Sequence, residues 1–393
     1  MTEIRADNVQ NRVGTGKPDF DTAPTHSGGS ALSTLDSLKP TYTSSGTEPS
    51  SPSNGDLWWD STNSESYIYV NNAWYKITLG YTTTNPPGSA TAWSGDRAIV
   101  SGNMYAISSG NKNLVYFNIA GSGGGSVNFG DLTVERSGGV GAAGSSSRAC
   151  FCGGYSYTIG NPPANRMDDI DYVTPSTTGN ATAFGNLTVG RNLGASASNG
   201  TRLLHAGGYG PDAYSNIVDY ITVATTGNAQ DFGDLSGIGN HLYGGAAADA
   251  TRALFSPVGN TAGGDTTIDY FTIATTGNAT DFGDLIVASS RNSACSDETR
   301  CVFVGGGASH TPANRQMEYV TIQTTGNATD FGDLLYAIYY QYGGGCTSNA
   351  TTGVSMERLN MEKFTIQTPS NGVDFGDLIE SRVFWAATSG SAS

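Results

Sequence analysis

Apolar and polar positions along the chain fall into short runs of aromatic and β-branched residues, broken by Gly, Asn, Asp, Ser and Thr. One such run keeps returning. In its fullest form it reads Ile268-Asp269-Tyr270-Phe271-Thr272-Ile273, then Ala274-Thr275-Thr276-Gly277-Asn278-Ala279-Thr280, then Asp281-Phe282-Gly283-Asp284-Leu285. The Phe-Gly-Asp-Leu ending recurs at Phe129, Phe232, Phe282, Phe331 and Phe375, and as Phe-Gly-Asn-Leu at Phe184, in steps of 55, 48, 50, 49 and 44 residues. Periods of this size mark propellers and solenoids, in which each repeat is one supersecondary unit.

Each repeat parses into four strands. A first strand follows the Leu, as in Leu285 to Ala294. A polar turn such as Ser296-Asp297-Glu298-Thr299 leads to a second strand that opens with Arg97, Arg148, Arg202, Arg252 or Arg300. Glycine doublets often end it: Gly153-Gly154, Gly207-Gly208 and Gly305-Gly306. The third strand is the Asp-Tyr phrase, and Thr-Thr-Gly-Asn turns it into a short fourth strand carrying the Phe. In Ile268 to Ile273 both alternating faces are apolar, so both must be covered, as they are when sheets pack radially between two neighbours.

The ends of the repeat region complement each other. The first repeat starts at its second strand, Gly95 to Val100, and the chain finishes with an unused first strand, Leu378 to Ser389. Pairing the two removes an open edge. The pattern therefore predicts an all-β protein with a six-bladed β-propeller over 93–393, closed by N- and C-terminal strands in one sheet. The doublet pattern and the four-strand repeat of near 50 residues resemble kelch-type β-propellers. The late Trp common in those repeats is missing, and Tyr172, Tyr220, Tyr270 and Tyr319 take the recurrent aromatic role instead.

Three segments precede the repeats. Residues 1–54 are rich in Ser, Thr, Gly and Pro, and read as an extended arm ordered by a partner, with Ala31 to Leu38 as a short helix. Residues 55–80 alternate as a three-stranded β-meander, and 81–92, with Pro86-Pro87-Gly88, read as a linker. The stretch "GDLWWDSTNSESYIYVNNAWYKI" resembles a small module of bacteriophage tail fibres and related virion appendages, and "ADNVQNRVGTGKPDF" is similar to N-terminal segments of phage structural proteins. The resemblance implies a virion protein assembled in a bacterial cytoplasm, with residues 1–54 as a virion anchor. It also implies a homo-oligomer, a trimer being one form.

Composition narrows the chemistry. A net charge of −15 with only 13% charged residues argues against binding nucleic acid through its phosphates. No apolar stretch reaches membrane-spanning length, and no secretory leader is read at Met1 to Asn8. The odd set Cys150, Cys152, Cys295, Cys301 and Cys346 reads as free buried thiols rather than as a disulfide framework or a metal site. Asp-Phe-Gly returns at Asp231, Asp281, Asp330 and Asp374, which fits a structural repeat and not the single magnesium motif of a kinase. Asp171, Asp219, Asp269, Glu318 and Glu362 precede or neighbour the third-strand aromatic, and repetition there points to hydrogen bonding between blades. No cofactor is expected; calcium would find oxygen ligands at the Asp-rich turns but not loop-type spacing.

Variation points to function. Third-to-fourth-strand turns are nearly uniform, whereas second-to-third-strand loops differ in length and content. Rigid scaffolds carry recognition on such loops. The candidate binding residues there are Tyr155, Tyr157, Asn161, Tyr209, Tyr214, His310 and Asn314, types suited to stacking on sugars or to protein contact. The leading expectation is non-catalytic display for binding a host-surface glycan or receptor. A purely architectural protein of capsid, neck or tail is the second reading, and a propeller-type polysaccharide-degrading enzyme the third.

Overall fold

The computed structural model describes residues 42–62, 65–70, 73–76, 95–101, 111–121, 123–136, 140–156, 166–211, 213–236, 244–256, 265–289, 292–306, 314–338, 345–349, 351–382 and 386–390. Among them every regular element is a strand, and no helix occurs. The chain divides into two compact units, Met1–Thr82 and Thr83–Ser393.

In the first unit, Tyr42–Ser45, Leu57–Asp60, Glu65–Val70 and Ala73–Lys76 form one sheet in chain order. The last three strands are the expected antiparallel meander. The fourth is a correction. Tyr42–Ser45 pairs in parallel with Leu57–Asp60, inside the stretch read as arm. Tyr-Thr-Ser-Ser carries little apolar signal, because backbone pairing and a Trp58 Nε1 bond to the Ser45 carbonyl (3.1 Å) hold it. Trp58 stacks on Tyr67 at 4.9 Å and meets Trp74 edge-on at 5.6 Å. The helix read at Ala31 to Leu38 and the linker at 81–92 lie outside the described residues.

The second unit holds six small antiparallel sheets. Sheet I comprises Ala386–Gly390, Arg97–Ser101, Asn111–Asn118 and Val127–Arg136; sheet II comprises Gly141–Gly144, Ala149–Cys152, Asp169–Val173 and Thr182–Asn186. Sheet III comprises Ala195–Ser198, Arg202–Ala206, Ile217–Thr222 and Gln230–Asp234; sheet IV comprises Ala246–Ala248, Arg252–Phe255, Asp265–Thr272 and Thr280–Ser289. Sheet V comprises Ser293–Ser296, Arg300–Val304, Asn314–Thr321 and Thr329–Ile338; sheet VI comprises Gly345–Ser348, Thr352–Thr365 and Val373–Arg382. In sheet VI one long strand does the work of two. Its halves pair with different neighbours, and Ile366 N–H donates to the Thr351 carbonyl (2.9 Å), folding the strand back around Arg358. In sheet I, Ala386–Gly390 pairs antiparallel with Arg97–Ser101.

A second correction concerns Leu285 to Ala294, read as a single strand. Thr280–Ser289 carries the fourth strand straight through Phe-Gly-Asp-Leu, and Ser293–Ser296 begins the next sheet. A β-bulge makes this possible. In sheet IV, Ile268 faces Gly283 while Asp269 faces Asp281, so Phe282 has no partner across the strand pair; all six sheets skip a residue at the same Phe. Bulges bend a strand and re-aim a side chain. Here they drive each Phe into the core, where all six are buried.

Six apolar clusters form, each between two sheets. Ile99, Leu114 and Phe129 of sheet I meet Phe151 and Val173 of sheet II. The series continues through II–III, III–IV, IV–V and V–VI. The sixth joins Val354, Met361 and Phe375 of sheet VI to Ala98, Val115 and Phe117 of sheet I. Both faces of each sheet are covered, which explains their two-sided apolar pattern.

Polar bonds repeat at the same boundaries. Gly277 N–H donates to the Phe232 carbonyl (2.8 Å), Ala279 N–H to the Asp234 carbonyl (2.8 Å), and Asp234 N–H to Asn278 Oδ1 (3.1 Å). The Thr-Thr-Gly-Asn turn of one sheet thus docks on the bulge of the sheet before it. The third-strand acids complete the joint. Asp171 accepts from Thr133 N–H (3.0 Å) and Oγ1 (2.6 Å), and Asp219 from the same two groups of Thr188 (3.0 and 2.6 Å). At Ile286 and Leu335, where an apolar residue replaces Thr or Ser, Glu replaces Asp and reaches two backbone N–H groups: Glu318 takes Ile286 and Val287, and Glu362 takes Leu335 and Tyr336. Between sheets VI and I the bonds run from Gly124 N–H to Phe375 O (3.1 Å), Ser126 N–H to Asp377 O (3.1 Å) and Ile379 N–H to Ser126 Oγ (3.0 Å).

The second-strand arginines also reach across. Arg252 pairs with Thr272, lies over the Tyr270 ring at 4.6 Å and donates to Ile322 O of the next sheet (3.2 Å). The bulge glycine is obligatory. Gly283 has φ 144°, and a Cβ there would overlap the Gly326 carbonyl of the docked turn. We therefore expect Gly283→Ala to cost about 2–4 kcal/mol. Gly179→Ala, at a turn with open space around it, should be near neutral in the same urea titration.

Candidate functional site

Of the candidate binding residues, Tyr155, Tyr209, Tyr214 and Asn314 are described, and they lie toward the end of the sheets where second strands pass to third strands. Tyr157, Asn161 and His310 fall outside the described residues. Three of the others come together between sheets II and III. Tyr209 and Tyr214 meet edge-to-face at 4.9 Å, the Arg166 guanidinium lies 4.3 Å over the Tyr209 ring, and Tyr155 bridges to Arg166. Arg166 also donates to Pro211 O (3.1 Å), and Tyr209 exchanges backbone bonds with Asn192 (2.7 and 3.2 Å). Gly208, at φ 98°, permits that approach, since a Cβ there would run into the Asn192 carbonyl. The result is a partly exposed aromatic ridge with one cation in it. Asn314 stands apart in sheet V, where its Oδ1 accepts from Gln316 N–H (2.9 Å).

Three buried charges at the boundaries I–II, II–III and VI–I were missed by the motif reading. Arg136, Arg191 and Arg382 are fully buried. Arg136 pairs with Asp171 and Arg191 with Asp219, each at 2.9 Å, while Arg382 donates to the Asn113 carbonyl (3.0 Å) and Oδ1 (2.7 Å). Their signal was available: each lies seven residues after the repeat Phe, at Phe129, Phe184 and Phe375. Burial pulls Arg191 below its usual value, and Asp219 pulls it back. Nearby, His205 Nδ1 lies 2.9 Å from Ser196 Oγ. Burial, helped by Arg191, holds His205 well below an ordinary histidine, so it stays neutral. Asp219 is engaged by Arg191 and Thr188, so it does not orient the imidazole as a triad carboxylate would.

The five cysteines are free and buried. Burial pushes the Cys152 thiol up to about 12, far from thiolate reactivity. No group of three or more His, Cys, Asp or Glu able to hold a metal occurs among the described residues.

Two cavities among the described residues bear on the site. The first is lined by small residues from all six sheets, among them Ala143, Ser196, Ala247, Cys295, Thr347 and Ala387, and has about 60 Å³. That is room for one or two waters and too little for a sugar ring. The second, about 370 Å³, lies between sheets V and VI and is lined by Arg315, Leu335, Tyr336, Glu357, Arg358 and Asn360. Glu357 is 5% exposed, yet neither carboxylate oxygen accepts a hydrogen bond. Its nearest charge is Arg358 Nε at 3.9 Å. Burial pushes the Glu357 carboxyl up to about 8 against the pull of Arg358. Arg358 itself has φ 57°, a left-handed conformation that strains a side-chain-bearing residue.

Compared with known proteins, the sequence matches no family model and no curated protein. No helix among the described residues is long and apolar enough to cross a membrane.

Glu357 gives a signed pH dependence. Between its ordinary value and about 8 the folded chain keeps a proton that the unfolded chain has released, so this contribution to stability falls as pH rises through that window. Glu357→Gln removes the effect. In urea titrations the variant should gain stability relative to the parent between pH 5 and pH 8.5; a difference constant with pH would contradict the assignment.

Proposed function

We propose that the six sheets close into one six-bladed, kelch-like β-propeller, and that the chain is a non-catalytic structural component of a bacteriophage virion appendage displaying that propeller toward a host-surface glycan. Closure is supported by the sixth core cluster, by the turn-on-bulge bonds repeated between sheets VI and I, and by a cavity lined from every sheet. The virion setting is supported by the tail-fibre-like pattern of the first eighty or so residues. On this reading residues 1–54 contact other virion proteins, and the display is multiplied by homo-oligomerisation.

One observation carries the binding reading. The joint between sheets repeats with the same bonds, while the second-to-third-strand end changes from sheet to sheet and carries the Tyr209–Tyr214–Arg166 ridge. Scaffold and recognition are thus separated in the chain. A second reading, a purely architectural role, is favoured by a different feature. Ile286, Leu335 and Ile379 are exposed on the outer strands of sheets IV to VI, where the matching positions of sheets I to III hold Thr133, Thr188 and Ser236. An apolar rim on one side suits contact with a neighbouring protein.

Two experiments test these readings. The full chain on an array of bacterial surface polysaccharides should bind at least one, and Tyr209→Ala should weaken that binding about tenfold or more if the ridge stacks on sugar. Silence across the array by a folded chain would leave the architectural role. For closure, deleting 386–393 exposes the edge Arg97–Ser101. The truncated chain should show lost amide protection in sheet I and a greater tendency to aggregate.

A further inference from the structure

We propose that the cavity between sheets V and VI is a saccharide site for one or two pyranose units, in which Glu357 accepts hydrogen bonds from a vicinal diol. This rests on the reading that the chain binds a glycan, and it names where and how.

The wall chemistry selects the ligand. Glu357 offers two oxygens with no donor, inside a cavity of about 370 Å³. A buried acceptor left unmade is costly, and ligand donors remove that cost. A cationic ligand would meet Arg315 and Arg358, and an anionic one would meet Glu357 with Glu362 beyond it. A neutral polyol suits both. Each hydroxyl can donate to Glu357 while accepting from a guanidinium or from Asn360. Leu335 is 41% exposed and adjoins Tyr336, giving an apolar wall for the C–H face of a sugar ring. The volume lies within the range of small-ligand clefts.

The site is also built. Arg315 Nε is tied to Leu334 O (2.9 Å) and its Nη2 to Leu335 O, so its side chain is fixed before any ligand arrives. Glu362 is occupied by the N–H groups of Leu335 and Tyr336, leaving Glu357 as the open acceptor. Across the strand pair from Arg358, Arg382 is tied to Asn113 and Glu380. Arg358, in its left-handed conformation, follows Glu357 directly where the strand turns between its two halves.

The charged and titratable groups that line the cavity with Glu357 are Arg358 beside it and Arg315 and Tyr336 on sheet V. Because a diol donates to the ionised carboxylate, binding should tighten as pH rises toward 8 and should release a proton.

The test is calorimetric titration of the full chain with a panel of methyl pyranosides at up to about 100 mM, beside the polysaccharide array, for the parent, Glu357→Gln and Tyr336→Ala. Saturable pyranoside binding that weakens about tenfold or more in both variants, with a pH slope lost in Glu357→Gln, supports the site. Polysaccharide binding unchanged by both variants overturns it and leaves the glycan reading standing. Pyranoside binding with the same variant losses, without any polysaccharide binding, keeps the site and overturns display. Absence of both kinds of binding in a folded chain overturns both.

Discussion

At the boundary between consecutive sheets, the turn of one is seated in the bulge of the other. The seat exists only because the bulge residue after Phe has no Cβ: at Gly130, Gly185, Gly233, Gly283, Gly332 and Gly376 an added methyl group would occupy the place of a carbonyl oxygen from the docked turn. Much else follows from that steric fact. The bulge aims Phe into the apolar cluster between the sheets. The turn brings its Asn to cap a backbone N–H, and the third-strand acid closes over the N–H groups just beyond Leu. Hydrophobic burial supplies most of the free energy, but it is not directional. The bonds at the seat set the register in which burial occurs.

Much of this was legible in the sequence, for a physical reason. A repeated joint must repeat its residues, so Phe-Gly-Asp-Leu, Thr-Thr-Gly-Asn and the acid before Tyr stood out by recurrence. The inter-sheet role of Asp171, Asp219, Asp269, Glu318 and Glu362 could be inferred because a group present in nearly every repeat has a structural duty. What recurrence hid was geometry. A bulge leaves no sequence mark distinct from a turn, so Leu285 to Ala294 read as one strand when it is the end of one and the start of another. Tyr42–Ser45 escaped because parallel pairing through the backbone asks little of side chains.

The second-to-third-strand end was legible only as a region. Loop variability identified Tyr155, Tyr209 and Tyr214, and the fold brings those three together around Arg166. Glu357 was invisible to the same reasoning. It follows a run of buried residues in a strand, and nothing in Ser355-Met356-Glu357-Arg358 distinguishes a carboxylate turned into a cavity from one turned to solvent. Three buried arginines were missed for the opposite cause. Their seven-residue offset from Phe holds in only three of six repeats, too few to be noticed beside motifs that hold in four or more.

The strand Ala386–Gly390 has a consequence for how the molecule is made. Its partner, Arg97–Ser101, leaves the ribosome nearly three hundred residues earlier. During translation sheet I waits with one edge unmatched while five further sheets emerge and pack. Ala386–Gly390 is therefore the latch of the first sheet, which is complete only once a strand that follows sheet VI in the chain has been made.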